Sequence, residues 1–228
     1  MPPSYPFQVS GLPGDARPYA LDTGERTAFL RKVYGLVLLG IVSSGLAGGV
    51  AISSGAAMQL MQHYWIMMLV YFGLFFGCMA GRRIAGLNIL LLIGFTAFTG
   101  VMVAPAVYFA PPGAAANALL GTGVAFTGLS VYAAVTKRDL SFMRTFLVTS
   151  LFAIIAVSLG NIFFFKSTAM DGALAGVTAV LFCGFIAYDT QRLMRNQAMD
   201  DAVGFALSIY LDILNLFLAL LRIFSRRR

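Results

Sequence analysis

The sequence predicts an all-α integral membrane protein, and three observations carry that reading. The chain has 228 residues, of which 59% are apolar and only 11% charged, against roughly 25% charged in an ordinary soluble domain. The apolar residues fall in blocks of about twenty, the length that crosses ~30 Å of hydrocarbon at ~1.5 Å per helical residue. Those blocks are apolar on every face, whereas the helices of a soluble bundle keep a polar side.

The blocks give seven spans: residues 33–52, 64–81, 87–110, 114–136, 142–165, 172–193 and 203–224. Short connections make neighbours antiparallel. Residues 1–28 precede them as a flexible tail, rich in proline and without the apolar core of a cleavable leader. Residues 29–228 form the transmembrane domain. Pro111-Pro112-Gly113 marks the turn between the third and fourth spans. Pro105 should kink the third span or end its regular part. Glycines four apart, at Gly45/Gly49, Gly73/Gly77/Gly81 and Gly172/Gly176, suit close approach of helix backbones.

Basic residues orient the chain. Eleven of the sixteen Lys and Arg fall on the side that holds the N-terminus and five on the other, so the N-terminus is expected in the cytoplasm. The final Arg226-Arg227-Arg228 falls on the sparser side, against that rule. A six-span chain with a re-entrant last segment is the alternative. The net charge of +7 reads as topology rather than nucleic-acid binding. Cys78 and Cys183 lie inside apolar blocks as packing residues, and His63 is the only histidine. Neither a disulfide framework nor a zinc site, and no cofactor, is expected.

Of nine acidic residues, only Asp189 and Asp212 lie within spans. A charge at mid-bilayer costs about 2.5–3.5 kcal/mol, so such residues face the interior and serve a function. The sixth and seventh spans form a hairpin centred near Asp200-Asp201, and the two carboxylates stand about equally far from that centre. They reach a similar depth and meet if their faces match. Two carboxylates in contact share a proton and titrate as a unit, and their oxygens also suit Ca²⁺. The structural alternative is a carboxylate bonded to Tyr188, Thr190, Tyr210 or Asn215. Arg82 and Arg83 end the second span. Both suit interfacial anchoring, and Arg82 is the candidate latch on the carboxylates, with Arg83 as the alternative.

Other chemistries fit poorly. A retinal protein needs a lysine in mid-helix, and Lys32, Lys137 and Lys166 lie at ends or loops. Tyr188-Asp189 matches half of an intramembrane aspartyl protease pattern, but Asp212 has no Gly-x-Gly before it and no Pro-Ala-Leu motif follows. No enzyme is expected.

Four stretches carry a resemblance. They are Thr136-Lys137-Arg138-Asp139-Leu140-Ser141-Phe142, Asn161-Ile162-Phe163, Ala187-Tyr188-Asp189-Thr190-Gln191, and the run from Ala206-Leu207-Ser208-Ile209-Tyr210-Leu211-Asp212 to Ile213-Leu214-Asn215-Leu216-Phe217. Through them the sequence resembles the Bax inhibitor-1 (transmembrane Bax-inhibitor motif) family, from about Phe29 to Phe224, in the compact form of a bacterial member. The resemblance implies seven helices with the last one central among the other six. It implies a pH-sensitive Ca²⁺ leak with Asp189 and Asp212 as the di-aspartyl sensor, and Arg82 at about the place of a latch residue. It also implies a bacterial cytoplasmic membrane, where the partners are lipid, Ca²⁺ and protons. The rival implication is an interaction protein that regulates a membrane protease or a cell-death protein, with the tail and the basic C-terminus as docking elements. A proton-coupled transporter is a third reading, and the sequence shows no second substrate site for it.

Overall fold

The computed structural model describes residues 23–195 and 199–226. The tail through residue 22 and the last two arginines, Arg227 and Arg228, lie outside the described residues. Eight helices follow in order: α1 (Thr23–Ser53), α2 (Ala56–Met61), α3 (Tyr64–Gly81), α4 (Leu87–Tyr108), α5 (Ala114–Val135), α6 (Met143–Gly160), α7 (Thr168–Arg195) and α8 (Ala202–Ser225). A π-helical turn, Asn161–Phe165, extends α6. Among the described residues there is no strand. Among the described residues six helices are long and apolar enough to cross a membrane: α1, α4, α5, α6 with its extension, α7 and α8. The protein is an all-helical integral membrane protein. The second predicted span, α3, is apolar too but shorter.

Three sequence expectations change. Helix α1 begins at Thr23, inside the stretch read as a tail. Helix α4 passes through Pro105 and continues to Tyr108, so the regular helix does not end at the proline, although its missing N–H removes one bond to the carbonyl four residues back. The glycine ladders are the third. A Cβ at Gly45, Gly49, Gly73, Gly77 or Gly176 would meet nothing within 4 Å, so none of these brings helices together. Gly81 packs on the Leu91 side chain, and Gly172 lies under the Arg226 side chain. The close approach occurs elsewhere. A Cβ on Gly48 would stand 2.9 Å from the Gly100 carbonyl, and one on Gly100 would collide with the Ser44 carbonyl. Helices α1 and α4 therefore touch backbone to backbone, and they form the most extensive helix pair of the bundle. The Pro111-Pro112-Gly113 turn forms as expected. Ala114 N–H donates to the Pro111 carbonyl (3.0 Å), and Gly113 supplies the left-handed φ of +82° that the turn needs.

Helix α8 packs against α7, α5, α1 and α4. Of its most apolar stretch 56% is buried, against 11% for α6. Its residues Val203, Ala206, Ile209 and Tyr210 join Val33 and Val37 of α1 and Leu92 and Phe95 of α4 in the main core cluster. Buried threonines satisfy themselves. Thr96, Thr99 and Thr122 donate to the carbonyls one turn back, at Leu92, Phe95 and Ala118 (2.7–2.9 Å), as apolar surroundings demand. Outward, Leu46, Trp65, Val124, Phe146 and Phe164 present bare apolar surface, which suits lipid. Helix α8 does not turn back. Its end reaches the start of α7, where Arg226 stands 3.6 Å from Asp171.

Candidate functional site

Helices α7 and α8 are antiparallel and closely packed, and their pairing puts the Asp189 and Asp212 carboxyls beside each other. Both are buried, at 8% and 5% exposure. A carboxylate has no donor of its own, so a hydrogen bond between the two needs a proton on one of them. Asp212 Oδ2 is buried without a hydrogen-bond partner. The rotation that sequence left open places the two acids on the facing sides of α7 and α8.

The surroundings are polar on one side. Thr190, next to Asp189 on α7, is fully buried, and the Tyr34 hydroxyl of α1 faces both it and Ser130 of α5. The contacts are loose: neither the Thr190 nor the Ser130 hydroxyl completes a hydrogen bond of ordinary geometry. The cations that act on Asp189 are Arg192, one turn along α7, and Arg144 at the start of α6. Arg192 is steered from the other side by Phe205 of α8, whose ring centre lies 5.2 Å from the guanidinium carbon.

The other expected residues lie elsewhere. Arg82 pairs with Asp201 at 3.0 Å. Arg83 and Tyr188 line the same cavity as that ion pair. Tyr210 turns to a different face of α8, where its hydroxyl donates to the Thr96 carbonyl at 3.5 Å. Asn215 donates to Leu211 of its own helix. Of the predicted set, the structure brings together Asp189 and Asp212 and sets Arg82, Tyr210 and Asn215 to other partners.

At the basic end, a cavity of about 580 Å³ opens between α3, α7, α8 and the α5–α6 turn, lined by four arginines (Arg82, Arg83, Arg192, Arg195) and three aspartates (Asp139, Asp200, Asp201). Its wall is built by Gln191, a buried amide that sequence reasoning passed over. Gln191 Nε2 donates to the Arg138 carbonyl (2.9 Å), and its Oε1 accepts from Leu140 N–H (2.8 Å). Arg195 adds bonds to Asp139 (2.9 Å) and to the Arg138 carbonyl (3.1 Å). Ser141 N–H, and then Arg195, hold the Asp139 carboxyl below its ordinary range. The signal was present in the sequence, since a glutamine inside an apolar block needs partners for both ends of its amide. At the opposite end Asn161 plays the same part. It donates to Asp171 (2.6 Å) and the Ser167 carbonyl (3.1 Å) and accepts from Ser167 N–H (3.0 Å).

A helical bundle of membrane-crossing length, with two adjacent buried acids in its interior, is the class these observations define. Residues 26–228 match the family described as inhibitor of apoptosis-promoting Bax1. An uncharacterised protein of Campylobacter jejuni is 36% identical over 88% of this chain and 89% of its own. Protein lifeguard 4 of Mus musculus is 33% identical over 86% and 84% respectively. A Golgi anti-apoptotic protein of vaccinia virus (strain Lister) is 33% identical over 87% and 85%. The chain belongs to the Bax inhibitor family of membrane proteins.

Proposed function

We propose that this protein is a pH-sensitive Ca²⁺-leak channel of a bacterial cytoplasmic membrane, with Asp189 and Asp212 as both sensor and transient ion ligands. The observation that carries the reading is the buried contact between the two carboxyls, with one Asp212 oxygen left unpartnered. Such a pair exchanges a proton for a cation without rebuilding its surroundings. Among the described residues no three potential metal ligands converge, which suits a passing ion rather than a stored one.

In this reading the chain crosses seven times. Helix α3 has 18 residues, within the roughly 17–25 that span a bilayer, and its basic end meets the α7–α8 turn through Arg82. The N-terminus is cytoplasmic, and α8 is the central helix. The path is closed while the dyad holds its cationic neighbours, Arg192 and Arg144. Protonation weakens that hold, a helix moves, and Ca²⁺ passes down its gradient. Protons and Ca²⁺ compete for the same oxygens, so flux against pH need not be monotonic.

The test is Ca²⁺ entry into indicator-loaded liposomes across pH, for wild type and Asp212→Asn. Entry that rises on acidification, with a pH response lost in Asp212→Asn, supports the channel. Entry rising steadily towards alkaline pH refutes the gating direction. No entry above empty liposomes from folded protein favours the second reading, an interaction protein acting on a cell-death or stress factor. That reading draws on the anti-apoptotic description of the vaccinia relative. It predicts loss of a cellular phenotype on tail or C-terminal deletion and not on Asp→Asn change.

A further inference from the structure

Asp201 has both carboxylate oxygens engaged in different helices. It is the N-cap of α8, where Oδ1 accepts from Gly204 N–H at 2.9 Å. A Cβ on Gly204 would collide with that carboxylate, so the side chain is seated directly on the first turn. Its Oδ2 meets Arg82 Nη1 at 3.0 Å. Arg82 is itself the C-cap of α3, and Asn88 donates to its carbonyl at 3.1 Å. An anion at a helix N-terminus and a cation at a helix C-terminus are each favoured by the helix dipole. The ion pair thus couples two helix ends that already favour its charges.

The remaining charges facing this pair have their own places. Arg195 is bonded to Asp139, and Arg192 lies over Phe205. Arg83 and Asp200 line the cavity wall, and the uncharged Cys78 thiol approaches Asp201 from α3. Helix α3 packs chiefly on α4, and its Gly73 and Gly77 touch nothing. We infer that Asp201 is a positioning residue that holds the basic end of α3 against the start of α8 and so limits how wide the cavity between them opens. Its consequence for flux rests on the channel reading above; its consequence for geometry does not.

The pair differs from the dyad in exposure. The Arg82 and Asp201 side chains are 34% and 20% exposed, so added salt weakens their attraction. Asp201→Asn keeps a good N-cap and removes the charge. In the liposome assay it should raise Ca²⁺ entry roughly two- to five-fold, the population change a partly exposed ion pair commands, with the pH profile of wild type retained. Raising salt from about 0.05 to 0.5 M should lift wild-type entry by a similar factor and leave Asp201→Asn unchanged. Arg82→Gln should match it, and the double variant should add nothing further.

A second readout needs no ion flux. Spin labels at Arg83→Cys and Asp200→Cys, with Cys78→Ala and Cys183→Ala, report the α3 to α7–α8 separation by pulsed electron resonance. Asp201→Asn should broaden and lengthen that distance. A broadened distance without Ca²⁺ entry from any variant upholds the positioning role and overturns the channel. An unchanged distance, or an Asp201→Asn flux that still responds to salt as wild type does, overturns the positioning role.

Discussion

Helices α8 and α6 are both apolar and membrane-long, yet they are held by opposite means. Helix α8 is buried over 56% of its apolar stretch and packs against four neighbours. Helix α6 is buried over 11% and packs chiefly on α7, where Leu147 reaches Gly184. What α6 lacks along its length it has at its ends: Gln191 secures the turn before it and Asn161 the turn after it. Lipid is as apolar as leucine, so apolar surface alone holds neither helix. One is fixed by fit, and the other by side-chain amides bonded to main chain.

The comparison can be broken hardest at the fitted side. Gly100→Leu forces a side chain into the Ser44 backbone and should cost about 3 kcal/mol or more, read as loss of folded, monodisperse protein in detergent. Gly73→Leu, with nothing within 4 Å, should stay within about 0.5 kcal/mol. If the two behave alike, fit is not what holds the core. Next comes Asn161→Ala, which strips three hydrogen bonds from a buried amide and should cost about 2 kcal/mol. Amide hydrogen exchange should quicken at the π-helical turn before it does at α8.

Gln191→Ala should cost about 1–2 kcal/mol and raise protease sensitivity of the α5–α6 turn, while Gln191→Glu keeps only the bond from Leu140 N–H and should fall between. The smallest effect belongs to Asp139→Asn, an exposed group whose loss should lower the melting temperature only slightly near neutral pH. The acid limb carries its sign. Because the folded carboxyl is held below its ordinary value, its contribution is complete above about pH 4 and fades as pH falls through the lowered value. A turn that loosens between pH 5 and 7 would contradict this.

Much of this was legible in the residues. Composition and block length gave the helices, and two acids in apolar blocks gave the buried acidic pair. Asp189 and Asp212 come side by side across the α7–α8 hairpin because a hairpin fixes level by counting. Rotation was not legible, since it depends on how α8 seats against α1, α4, α5 and α7. The glycine ladders misled for a related reason. Spacing shows that Gly73 and Gly77 share a helix face, but not what that face meets, whereas Gly48 and Gly100 gain their meaning only across two helices. Arg82 was placed by its position at a helix end. Its partner, Asp201, follows from α8 beginning there with an acidic N-cap.

The grip of Gln191 falls on one carbonyl and one amide of the α5–α6 turn, and no side chain of Lys137 or Arg138 enters it. The turn is therefore specified by its length and path rather than by those two letters. A relative can keep the turn while losing that part of the motif. The amide on α7, and not the basic pair, is what the path of the turn depends on.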